Sequence, residues 1–63
     1  MELNQIIKEV VEIVGNPKRV VEYNGTLFVE APTSICEKVT VFLSSQSKIR
    51  VSKMGPETVY DFV

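Results

Sequence analysis

The sequence has no histidine and a single cysteine, Cys36. Without histidine the commonest general base is missing, which argues against acid–base or nucleophilic catalysis. One cysteine cannot close a disulfide within the chain, and with no histidine beside it cannot fill a four-ligand structural zinc site. Glycine is scarce too. Gly15, Gly25 and Gly55 are isolated turn residues, so no glycine-rich phosphate loop exists. No apolar run approaches the ~18 residues that a membrane span needs. The first residues lack the basic region and apolar core of a signal peptide. A free thiol without an export signal predicts a cytoplasmic protein. The formal net charge is only −1, so no general attraction to nucleic acid or to an anionic membrane is expected.

At 63 residues the chain is expected to form one domain, 1–63. Its 44% hydrophobic and 24% charged residues place it among globular chains and not disordered ones. A domain of this size buries only about 60% of its unfolded surface and is marginal alone. With disulfides and zinc set aside, very good packing or a partner subunit must make up the difference.

The strongest feature present is an internal repeat. Arg19 and Glu30 recur 31 positions later as Arg50 and Asp61, Val20 recurs as Val51, and Val29 as Tyr60. The turn Asn24-Gly25 falls on a second turn, Gly55-Pro56. Self-similarity at this period points to a duplicated supersecondary unit, with halves of about 1–31 and 32–63.

Each half reads as a helix followed by a hairpin. Over residues 3 to 14, Leu3, Ile6, Ile7, Val10 and Val14 form one helical stripe, widened by Val11 and Ile13. Gly15 suits a C-terminal cap and Pro17 blocks continuation. Residues 18 to 31 read as a hairpin about Asn24-Gly25, a pair that favours a type I′ turn. A two-residue loop pairs Tyr23 with Thr26, Val21 with Phe28 and Arg19 with Glu30 on one face, and Glu22 with Leu27 and Val20 with Val29 on the other.

Residues 34 to 45 are ambiguous. Val39, Val41 and Leu43 alternate as in a strand. Ile35, Cys36, Val39, Phe42 and Leu43 fit a helical stripe, and Ser34 with Glu37 has the form of a capping box. The repeat favours the helix. Residues 48 to 62 read as the second hairpin, with Gly55-Pro56 as a type II′ loop. It pairs Val51 with Tyr60 and Ile49 with Phe62 on one face. Arg50 pairs with Asp61, and Ser52 with Val59, on the other.

Two helix–strand–strand units place four antiparallel strands in one sheet, in the order 3-4-2-1, with both helices on one face. This α+β arrangement is like a ferredoxin-like sandwich, circularly permuted so that its first strand lies at the C-terminus. Val20, Leu27, Val29, Ala31, Ile49, Val51, Tyr60 and Phe62 are expected to face the helices. The other side carries Val21 and Phe28 near Val59, with Arg19–Glu30 and Arg50–Asp61 expected as ion pairs around them.

Cys36 lies on an apolar stripe and reads as a small core residue. Ser44, Ser45 and Ser47 have no identifiable base nearby. No cofactor or metal site is expected. The first expectation for function is a non-catalytic interaction module that forms a homo-oligomer or binds a protein. Its contact surface would be built from Arg19, Val21, Tyr23, Phe28, Arg50 and Val59. The second is single-stranded nucleic-acid binding on the same face, with Tyr23 and Phe28 stacking bases and Arg19, Lys48 and Arg50 holding phosphates.

Overall fold

A computed structural model describes residues 2–63. The chain forms helix α1 (Leu3–Val14), a short 3-10 turn (Pro17–Arg19), strands β1 (Val20–Tyr23) and β2 (Thr26–Val29), helix α2 (Thr33–Gln46), and strands β3 (Ile49–Met54) and β4 (Glu57–Phe62). The four strands make one antiparallel sheet in the order β1-β2-β4-β3. This is the predicted order read from the opposite edge. Among the described residues no helix is long and apolar enough to cross a membrane.

Local sequence explains the boundaries. Gly15 caps α1 in the left-handed region at φ 84°, and its N–H donates to the Val11 carbonyl at 2.7 Å. The Asn16 side chain then accepts from the Lys18 N–H at 3.0 Å, and Pro17 opens the 3-10 turn. That turn takes Lys18 and Arg19 out of the first strand, which starts at Val20 instead of residue 18. Arg19 still extends the ladder, because its carbonyl accepts from the Glu30 N–H at 3.0 Å. Asn24 (φ 51°) and Gly25 (φ 81°) both have the positive φ of a type I′ loop.

Residues 33–46 are helical, and burial shows why the helical reading wins. Cys36, Val39 and Leu43 are buried at spacings of one helical face, whereas Val41, which a strand would align with Val39 and Leu43, is 72% exposed. The capping box does not form. The helix starts at Thr33 with Pro32 in the N-cap position, two residues before the expected cap, so Ser34 lies inside the first turn. No side chain caps the N-terminus. The Pro32 carbonyl instead accepts from the Ile35 and Cys36 N–H groups, each at 3.0 Å.

Both helices pack on one face of the sheet. Ile6 and Val10 of α1 and Cys36, Val39 and Leu43 of α2 share one cluster with Val20, Leu27, Val29 and Tyr60. Register puts those four strand residues on a common side: Val20 opposes Val29, and Leu27 opposes Tyr60. Ala31, Ile49 and Phe62 pack against the same cluster as expected. Val51 does not. It points to the helix side opposite Tyr60 but remains 45% exposed, because α2 meets β3 only in part and α1 packs on the opposite edge at β1.

Candidate functional site

The side of the sheet away from the helices is the face on which the sequence placed its candidate residues. Register aligns them in rows across the strands. The central row runs Val21–Phe28–Val59–Ser52, and the next runs Tyr23–Thr26–Asp61–Arg50. Val21 is 51% exposed and Tyr23 68%, whereas Phe28 is half-buried and Val59 is buried at 5%. Val59 is therefore the floor of the apolar row and not a surface contact. Val21, Phe28 and Tyr23 form the accessible part of the patch.

The charges around this row differ from expectation in one respect. Arg19 and Glu30 form the expected ion pair at 3.4 Å, with both side chains about half exposed. An exposed pair of this kind contributes about 0–1 kcal/mol. Arg50 and Asp61 are cross-strand neighbours but not an ion pair; Arg19–Glu30 is the one found among the described residues. The Asp61 carboxylate turns the other way and accepts from the Thr26 hydroxyl at 2.7 Å. A cross-strand register brings backbones together, but the side-chain rotamer decides which neighbour a short carboxylate reaches. Arg50 is left exposed with its charge directed to solvent.

The opposite side carries a feature that sequence reasoning missed. Because the helical layer stops short of β3, a groove of about 370 Å³ opens between α2 and β3. Val41, Val51 and Cys36 supply its apolar lining, with Thr33, Thr40 and Thr58, and Glu37 and Lys53, completing the wall. Its only legible signal was indirect: two apolar residues, Val41 off the buried stripe of α2 and Val51 on an edge strand.

A hydrogen-bonded cluster closes the floor of the groove. Tyr60 Oη donates to the Cys36 carbonyl at 3.0 Å, and Thr40 Oγ1 lies 2.8 Å from that carbonyl and 2.9 Å from Tyr60 Oη. Two hydroxyl protons serve these three contacts, so at most two of them are hydrogen bonds at any moment. Thr58 Oγ1 donates to Cys36 Sγ at 3.4 Å, and the thiol donates to the Ala31 carbonyl at 3.4 Å. Burial pushes the Tyr60 phenol above its usual pKa, opposed by the hydrogen bond from Thr40 and reinforced by Cys36. Among the described residues, every buried side-chain nitrogen and oxygen has a hydrogen-bond partner. The cluster therefore reads as a satisfied structural network, with Cys36 as the small core residue its stripe position implied.

The chain matches no protein-family model, no curated protein and no solved structure.

Proposed function

We propose that this chain is a non-catalytic interaction module that self-associates through the open face of its sheet. The observation that carries the reading is the apolar row on the open side of the sheet, where Val21 is 51% exposed and Phe28 half-buried beside the buried Val59. A second copy of the chain is the favoured occupant for two reasons. The rim carries two arginines, Arg19 and Arg50, and two carboxylates, Glu30 and Asp61, so the face is near neutral and can complement itself. A domain of this size also has little core, and burying a further apolar row adds what it lacks.

The fold is read further as a tandem duplication, αββ twice, arranged like a permuted ferredoxin-like sandwich. Support comes from the matching element order of the halves and from the offset of 31 that links Val20 with Val51 and Arg19 with Arg50. The single unpaired cysteine suits a reducing compartment, so the proposed setting is the cytoplasm.

Sedimentation velocity from micromolar to millimolar concentration tests the self-association. The wild type should shift from monomer to dimer across that range. Phe28→Glu should remain monomeric while keeping a native circular dichroism spectrum. Val21→Glu, on an edge strand and already half exposed, is the gentler variant should Phe28→Glu fail to fold. A wild type that stays monomeric at millimolar concentration refutes the proposal. Tight, salt-sensitive binding of a single-stranded oligonucleotide that depends on Tyr23 would instead favour nucleic-acid recognition, for which the exposed ring of Tyr23 in one row with Arg50 is the supporting feature.

A further inference from the structure

We propose that the free edge of β3 docks an extended acidic segment of a partner protein, which adds as a fifth strand and places an apolar side chain in the α2–β3 groove. Three observations converge on this edge; of the basic residues on or beside β3, only Lys48 and Arg50 also belong to the open sheet face.

The first is the backbone. The Val63 N–H donates to the Lys48 carbonyl at 3.1 Å, and Met54 opposes Glu57 across a two-residue loop. Antiparallel pairing alternates, so the main-chain groups of Arg50, Ser52 and Met54 point toward β4. Those of Ile49, Val51 and Lys53 point outward. They offer a partner three donors and three acceptors at regular spacing, which is the template used in strand addition.

The second is the groove. Side chains alternate with the same period, so Val51 and Lys53, whose backbones face outward, also face the helix side. A partner residue directly opposite Val51 must point to that side as well. It would lie next to the groove lined by Val41, Val51 and Cys36. Val41 is 72% and Val51 45% exposed, so an apolar side chain there covers surface that the chain itself leaves wet.

The third is charge, and it selects the occupant. Lys48, Arg50 and Lys53 lie on or beside β3, with no acidic residue between positions 48 and 54. None is in an ion pair among the described residues. Asp61, opposite Arg50, is engaged by Thr26, and Glu37 shares the groove wall with Lys53 without reaching ion-pair distance. Two copies joined edge to edge would bring three cations from each strand into one ribbon with no carboxylate on either, which is unfavourable. A carboxylate-bearing strand reverses the sign of that interaction. The opposite edge offers less: β1 has four residues, Val20 is already buried, and Arg19 is paired with Glu30.

In antiparallel pairing the matching partner reads acid, any residue, apolar, acid, its members opposing Lys53, Ser52, Val51 and Arg50 in turn. The test uses isotopically labelled full-length chain and a synthetic eight-residue peptide with glutamate, threonine, valine and glutamate at its centre. On saturation the amides of Ile49, Val51 and Lys53 should slow in hydrogen exchange, while those of Ser52 and Met54, already bonded to β4, change little. Val51→Pro removes one outward N–H and no bond to β4, so it should abolish binding in a folded chain. Lys53→Pro serves if Val51→Pro does not fold. Arg50→Gln and Lys53→Gln should each weaken binding about two- to fivefold, the range of an exposed ion pair.

No binding at millimolar peptide overturns the proposal. So does equal binding of a scrambled peptide, or undiminished binding to the folded proline variants, since either would mean unspecific charge attraction. Perturbations centred on Val21 and Phe28 would assign the peptide to the open face and overturn it. Concentration-dependent protection of the Val51 amide in the chain alone would show a second copy on the edge, with the same consequence.

Discussion

Tyr60 and Thr40 should behave as a coupled pair whose double replacement costs less than the sum of the single ones. Tyr60 is fully buried, and its hydroxyl spans from the sheet to the α2 backbone at Cys36. In Tyr60→Phe the Cys36 carbonyl keeps Thr40 Oγ1 at 2.8 Å, and in Thr40→Val it keeps Tyr60 Oη at 3.0 Å. Neither single variant strands a buried acceptor. Each should therefore cost about the net value of a hydrogen bond, ~0.5–1.5 kcal/mol. The Cys36 carbonyl lies inside α2 and keeps its helical backbone partner in the double variant too, whereas either single variant already removes the shared Thr40–Tyr60 contact at 2.9 Å, so the double variant should cost about 0.5 kcal/mol or more less than the sum. Against a total stability on the order of 3–9 kcal/mol for a domain this size, each single change is readily measured. A loss of ~1 kcal/mol lowers Tm by about 4–8 °C.

The same residue sets an alkaline limit. The folded-state pKa of Tyr60 lies above the ordinary tyrosine value of 10.0, mainly through desolvation. The folded chain thus holds a proton that the unfolded chain releases first. The associated stability is full below pH ~10 and is lost as pH rises through the higher folded value. Urea unfolding at fixed low protein concentration, at pH 7 and at pH 10.5, reads both effects, and the fixed concentration removes any contribution from association. Wild type should lose more stability between the two pH values than Tyr60→Phe does. Strict additivity of the two variants, or identical pH dependence in wild type and Tyr60→Phe, would refute the account of this cluster.

Two further outcomes test local backbone claims. Ser34→Ala should leave thermal stability within about 0.5 kcal/mol of wild type, because Ser34 makes no capping bond; a loss of 1 kcal/mol or more would restore it as the N-cap. Gly25→Val should destabilise by at least 1–2 kcal/mol in a denaturant titration. A β-branched residue resists φ 81°, and since an added Cβ meets nothing within 4 Å, the cost would be one of backbone conformation and not of collision.

Much of this fold was legible because two-residue loops fix register. Asn24-Gly25 and Gly55-Pro56 each determine every cross-strand pair in their hairpin, and the observed pairs Val21 with Phe28 and Val51 with Tyr60 follow from them. The helix over 33–46 was legible once the spacing of Cys36, Val39 and Leu43 was set against the alternation that includes Val41. What failed depends on information that one-dimensional patterns do not carry. Whether Ser34 caps a helix turns on a two-residue shift of the N-cap position, from Ser34 to Pro32. Whether Asp61 reaches Arg50 or Thr26 turns on a rotamer. Whether Val59 is buried, or Val51 bare, depends on how far layers extend sideways, and strand periodicity reports only which side a residue faces.

That last failure bears on where the chain meets other molecules. Val20 and Val51 correspond in the proposed duplication, and both face the helices from a sheet edge. Val20 is 9% exposed and Val51 45%. The asymmetry has a structural source. The Pro17–Arg19 turn leads directly from α1 into β1, and α1 packs on both, so the first edge is closed by the connection that precedes it. At the second edge, Ser47 and Lys48 join α2 to β3 without such a turn. Val41 and Val51 are left on opposite walls of an open groove. Two equivalent valines with unequal burial thus separate a finished edge from an unfinished one. The first edge already has its covering element within the chain, and the second is the one left open for the strand addition proposed above.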